Sequence, residues 1–137
     1  MKNTISVVAE KVDKLIEKIK LDGLETVVEQ INLSKGDDSQ DYFFIYEYEP
    51  KFYCVAHGSK KTMIGKTPEK IQKLFSKIDI INLLNGMKDL AEKGKGALYE
   101  YKWHLKQNEP VKEKVSWVQP LEYEGRKYFI GSGRYET

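Results

Sequence analysis

The nine tyrosines, five phenylalanines and two tryptophans of this chain are segregated. Residues 1–41 contain none of them, and most fall in two stretches, 42–53 and 99–135. The aromatic-free part is helical by pattern. Ile5, Val8, Ala9, Val12, Leu15, Ile16 and Ile19 recur at spacings of three and one, which marks a single helical face, with Lys11, Asp13, Glu17 and Lys18 on the other side. Asp22–Gly23 breaks the pattern and Leu24, Val27, Val28 and Ile31 restart it. A long helix and a short one are therefore predicted, followed by a polar exit through Ser34–Lys35–Gly36–Asp37–Asp38.

The aromatic stretches are strand-like. Residues 42–48 read Tyr-Phe-Phe-Ile-Tyr-Glu-Tyr, all but one of them good β-formers, and Phe52 to His57 follows after the interruption Glu49–Pro50–Lys51. Thr67–Pro68 has the form of a helix start, threonine as N-cap and proline at the first helical position, leading to Ile71, Leu74 and Phe75 on one face. Asp79 is placed to cap a further helix carrying Leu83, Leu84, Met87, Leu90 and Ala91, ended by Gly94 and Gly96. Three strands close the chain at about 97–103, 114–119 and 127–135, with Glu124–Gly125 as the last turn. The order α-α-β-β-α-α-β-β-β predicts an α+β domain, residues 1–137, built on one antiparallel sheet.

Charge and composition narrow the function. Twenty-three basic residues against 21 acidic ones give a net charge of +2 with no basic block, so nucleic acid is not an expected partner. A single cysteine, Cys54, excludes an internal disulfide and a cysteine metal site. The sequence has no apolar run of 18 residues and no secretory signal, so this segment is not expected to contact a membrane itself. Oligomeric state is not legible.

The stretch "YEYKWHLKQNEPVKEKVSWV", residues 99–118, concentrates the chemistry. In an antiparallel pair, opposed residues share a face and their numbers add to a constant. A sum of 217 sets Trp103 against Lys114, Tyr101 against Ser116 and Tyr99 against Val118, with Trp117 on the opposite face. That face carries dry aromatic walls, a hydroxyl and an ammonium able to hold a carboxylate. The plainer alternative is a surface hairpin on which Lys114 lies over Trp103 in a cation–π contact.

Other motifs yield less. "GSKKTMIGKT" ends in Gly-Lys-Thr, but Gly58 lies seven residues before Gly65, so it is not a phosphate loop. "GSGRY" closes a strand instead of opening a helix and is no dinucleotide fingerprint; its paired glycines suggest a bulge or the close approach of another group. His57 and His104 have no metal-ligand spacing. Ser116 and Ser132 lack a nucleophile-elbow context, and Cys54 sits in an apolar strand. No cofactor and no enzymatic activity are expected.

Taken in order, "DYFFIYEYEPKFYCVAHGSKKTMIGKT", "GKGALYEYKW", "KVSWV" and "YFIGSGRY" resemble consecutive signatures of the single Cache domain family over roughly residues 7–136. The resemblance implies a PAS-like single Cache fold, a long N-terminal helix followed by a five-stranded antiparallel sheet with helices between strands 2 and 3. It also implies an extracytoplasmic, periplasmic or secreted, sensor domain like the input modules of bacterial chemoreceptors and histidine kinases, binding small organic acids or related metabolites. Carried over by matched position, His57, Tyr101, Trp103 and Lys114 are the candidate ligand-binding residues, with Phe44 and Tyr46 as apolar walls and Ser116 beside them. The chain departs from the family pattern at Glu49–Pro50–Lys51, where many members have an Asp-Gly turn, across residues 104–112, and at Arg134. The competing expectation is a structural or protein-interaction domain of the same fold with a filled pocket.

Overall fold

A computed structural model describes residues 2–34, 42–75, 78–94, 96–104 and 111–135, with the side chains of residues 2–5, 102–104, 111, 112, 134 and 135 outside that description. The elements are α1 (Lys2–Asp22), α2 (Leu24–Leu33), β1 (Phe43–Glu49), β2 (Tyr53–His57), a 3-10 turn (Lys61–Met63), α3 (Pro68–Gln72), α4 (Ile80–Glu92), β3 (Ala97–His104), β4 (Val111–Tyr123) and β5 (Arg126–Tyr135). Apart from the 3-10 turn, this is the predicted order. The polar exit expected over residues 35–38 lies outside the described residues.

Local signals act where expected. Gly23, at φ 93°, ends α1 and starts α2, a backbone conformation that costs glycine little. The Thr67 side chain accepts from Lys70 N, with Pro68 in the first turn of α3. Asp79 Oδ1 accepts from Asn82 N at 3.2 Å. Gln72 reinforces this cap: its Oε1 accepts from Ile80 N at 2.7 Å and its Nε2 donates to the Phe75 and Ile78 carbonyls, both at 2.8 Å. The start of α4 is thus held from two sides. Glu124 (φ 51°) and Gly125 (φ 78°) form the two-residue turn of the β4–β5 hairpin; two successive positive φ values mark the type that matches strand twist.

The sheet is antiparallel throughout its described pairings, in the order β2-β1-β5-β4-β3. Its two faces bury separate cores. On one face Val12, Ile16 and Ile19 of α1 and Leu24, Val27 and Ile31 of α2 pack against Ile45, Ala56, Leu121, Tyr128 and Ile130, with Trp117 at the margin. On the other, Leu83, Leu84, Met87 and Ala91 of α4 and Ile71 of α3 cover Phe44, Tyr46, Tyr48, Cys54, Val118 and Phe129. Alternation produces this division, since successive side chains point to opposite faces, except in β2, where an irregularity in the pairing with β1 puts Cys54 and Ala56 on opposite faces.

The β3–β4 register corrects one expectation. Tyr101 opposes Lys114, Tyr99 opposes Ser116 and Trp103 opposes Lys112, so the constant sum is 215 and not 217. Trp103 therefore does not sit opposite Lys114. The strands also run further than predicted: β4 starts at Val111 and β3 reaches His104, which shortens the connection and fixes the pairing. A shift of two residues leaves each position on its predicted face of the backbone ladder. Positions 99, 101, 103, 114, 116 and 118 still share one face, with Trp117 on the other.

Candidate functional site

Between α4 and the sheet lies a cavity of about 20 Å³ lined by Tyr42, Phe44, Tyr46, His57, Leu83, Leu84, Met87 and Tyr101. A single buried water needs roughly 10–15 Å³, so the space suits a ligand of only a few non-hydrogen atoms. Phe44 and Tyr46 alternate along β1 toward it, and their rings meet edge to face at 6.1 Å. The apolar face of α4 closes the opposite wall. Four of the sequence candidates, Phe44, Tyr46, His57 and Tyr101, are brought together here.

The polar end is built from four residues. Lys114 is only 1% exposed. Its Nζ donates to the Tyr42 hydroxyl at 2.5 Å and lies 4.0 Å from the Tyr42 ring centroid and 5.8 Å from that of Tyr101. Lys114 thus stands directly behind the cavity wall, reaching it through Tyr42. Tyr101 and Ser116 share a hydrogen bond at 2.6 Å. Ser116 sets the direction of the Tyr101 ring and does not itself line the space. Burial raises the Tyr101 pKa against the opposing pull of Ser116, so the phenol stays neutral.

His57 ends β2 and is 2% exposed, its ring 5.0 Å from that of Tyr42. Its Nδ1 accepts from Lys60 N at 2.8 Å and from Ser59 N at 3.2 Å. Two backbone donors on Nδ1 make it the acceptor and put the ring proton on Nε2, a donor. Burial, then the charges of Lys114, Lys60 and Lys61, hold the His57 pKa well below 6.5, so the ring is neutral. The linkage has a definite sign. The unfolded chain takes up this proton near 6.5 while the folded one does not, so stability from His57 is complete above that pH and declines as pH falls below it. His57→Asn keeps an acceptor for the two N–H groups and cannot titrate. Denaturant titrations from pH 7 to pH 5 are expected to show wild type losing stability relative to His57→Asn by up to about 1.4 kcal/mol per pH unit below 6.5. Parallel pH profiles would remove His57 from this role.

Trp103 shares the backbone face of Tyr101, and its side chain, like those of His104 and Arg134, lies outside the described residues. Sequence reasoning missed Tyr42, although its parity with Phe44 and Tyr46 is a usable signal. It read Leu83, Leu84 and Met87 only as a packing face. The "GSGRY" glycines mark close approach, since the β4–β5 pairing continues through them without a bulge. A Cβ on Gly131 would lie 2.2 Å from Phe44 Cζ, and one on Gly133 would lie 2.2 Å from Ser116 Oγ. Cys54 is buried and free, its thiol pushed up to about 12 by burial, which makes it an inert core residue. Among the described residues no group of three His, Cys, Asp or Glu side chains is arranged to hold a metal ion.

The family model for the Cache domain matches residues 3–137. The chain belongs to the Cache domain family. Solved structures share its fold. A methyl-accepting chemotaxis protein from Vibrio parahaemolyticus is 18% identical, with 98% of this Cache domain and 89% of that chain covered and a TM-score of 0.71. A Cache chemosensory domain, solved for the structural basis of its carboxylic acid recognition, is 19% identical over 98% of this chain and 88% of its own, with a TM-score of 0.63. The periplasmic sensor domain of a chemotaxis protein is 16% identical over 99% and 92%, with a TM-score of 0.59. Among curated proteins no match was found. The N-terminal helix and five-stranded antiparallel sheet are those of a PAS-like Cache fold. No helix among the described residues is long and apolar enough to cross a membrane.

Proposed function

We propose that this Cache domain is a non-enzymatic sensor module that binds a short organic acid, outside the cytoplasm, as input to bacterial-type signal transduction. The observation that carries the reading is the polarity of the cavity. Phe44, Tyr46, Leu83, Leu84 and Met87 form a dry body, while His57, Tyr42 and the buried Lys114 gather donors and positive charge at one end. A carboxylate at that end gains charge-assisted hydrogen bonds, and a short alkyl tail fills the rest. The ligand class is supported by the related Cache chemosensory domain solved for carboxylic acid recognition, and the location by the related periplasmic sensor domain. Tyr101, oriented by Ser116, and Trp103 are proposed to clamp the ligand body.

The test is a calorimetric series of acetate, propionate, butyrate and hexanoate. Affinity is expected to be highest for the two- and three-carbon acids and to vanish at six, because the cavity is about 20 Å³. Equal failure of all four acids would favour the competing reading, a structural or interaction domain with a closed pocket. One observation speaks for that reading: Tyr42 already accepts a hydrogen bond from the Lys114 ammonium.

A further inference from the structure

β2 is an edge strand, and its outward backbone groups are satisfied by neighbouring segments instead of by another strand. Cys54 N donates to Lys66 O at 3.0 Å, and Cys54 O accepts from Gly65 N at 2.7 Å. Further along the edge, the side-chain amide of Asn32, in the last turn of α2, takes the place of a peptide group. Its Oδ1 accepts from His57 N at 3.1 Å and its Nδ2 donates to Val55 O at 3.3 Å. Lys61 completes the joint. Its Nζ donates to His57 O (3.1 Å), Gly58 O (3.2 Å) and Ile31 O (3.1 Å), so one ammonium ties the end of β2 to a carbonyl in the last turn of α2.

His57 therefore belongs to both layers. Its ring lines the cavity under α4, while its backbone N–H is held by Asn32 of α2 and its C=O by Lys61, which is itself bonded to Ile31 O near the end of α2; that helix packs on the opposite face of the sheet. We propose that Asn32 and Lys61 are positioning residues for His57, so that ligand occupancy and the docking of the α2 C-terminus on β2 form one equilibrium. This rests on the cavity being the ligand site. The coupling needs no contact between ligand and α2: a ligand that pulls on the His57 ring favours the arrangement in which its backbone is held.

The test uses propionate as the probe and the His57 ring as a reporter that needs no ligand. Asn32→Ala changes no charge, whereas Lys61→Met removes one of three lysines, with Lys114 and Lys60, whose charges act on the ring; Lys61→Arg restores charge and donors. Ring ¹⁵N resonances of the ligand-free proteins are followed against pH, propionate affinity is measured by calorimetry, and amide exchange is measured over Val28–Leu33. Asn32→Ala and Lys61→Met are each expected to weaken propionate by roughly tenfold, with Lys61→Arg within about threefold of wild type. In Asn32→Ala the ring is expected to titrate at higher pH than in wild type. Propionate is expected to slow exchange over Val28–Leu33 in wild type and not in that variant. Identical ring titration in wild type and Asn32→Ala overturns the positioning role, even if the variant melts earlier. Should Asn32→Ala fail to fold, Lys61→Met set against Lys61→Arg decides: equal affinities, or equal ring titrations if propionate does not bind, overturn it. A wild type that binds no propionate overturns the carboxylate reading alone, and the ring titration still judges the joint.

Discussion

Replacing Lys114 by methionine is expected to cut the affinity for propionate about a hundredfold while leaving the protein as stable as before, or more so. The two effects separate because they have different causes. An ammonium at 1% exposure has lost nearly all its hydration, a cost that its contacts, among them the Tyr42 hydroxyl at 2.5 Å and the nearby rings, have to offset. Methionine fills similar space without that cost, so the folded state gains while the site loses its charge. Removing one partner of a desolvated charge pair costs roughly 2–5 kcal/mol in binding, which brackets a hundredfold loss. Calorimetry with propionate and urea midpoints of both proteins are the required measurements. Unchanged affinity would take Lys114 out of the ligand role. A large fall in stability with weaker binding would make it a structural lysine whose loss disturbs the cavity indirectly.

Much of this arrangement is legible in the sequence, and what is not has a physical reason. Helical periodicity and the Thr67 and Asp79 caps specify α1, α2, α3 and α4, because cap chemistry and apolar spacing act over a few residues. Alternation assigns the faces of β1 and β3–β4, so Phe44, Tyr46, Tyr101, Lys114 and Ser116 fall on one side whether the β3–β4 sum is 215 or 217. The register itself is not local. It depends on where residues 104 and 111 meet, which no rule of alternation decides. Strand order is less accessible still: β5, last in the chain, inserts between β1 and β4 and so places Gly131 beneath Phe44. The α4 wall is hidden for another reason. Leu83, Leu84 and Met87 have the spacing of any core-facing helix, and only the gap left above the aromatic strands makes them cavity lining. The joint at Asn32 is equally unreadable, since a lone polar residue at a helix end carries no sign of the strand edge that it completes.

That insertion of β5 makes Gly131 a position where a very small change should do large damage. Gly131→Ala adds one methyl group, yet its Cβ would lie 2.2 Å from Phe44 Cζ, 2.5 Å from Cε1 and 3.0 Å from Cε2. The ring cannot stay where it is. Gly131 is buried and paired on both sides, to Phe44 of β1 and Val118 of β4, so the backbone cannot retreat without opening two ladders. The ring must swing, and the cavity is the nearest space it borders. Overpacking of this kind costs about 1–3 kcal/mol, and for a chain of this size roughly 2 kcal/mol lowers Tm by about 6–10 °C. Propionate binding is expected to disappear, because the displaced ring occupies the site. Phe44→Leu should restore part of both in the double variant, and on its own should admit longer acids than wild type. A double-mutant cycle measures the coupling. A coupling energy near zero would mean that Gly131 is required by the strand backbone, and that Phe44 does not form the floor of the cavity.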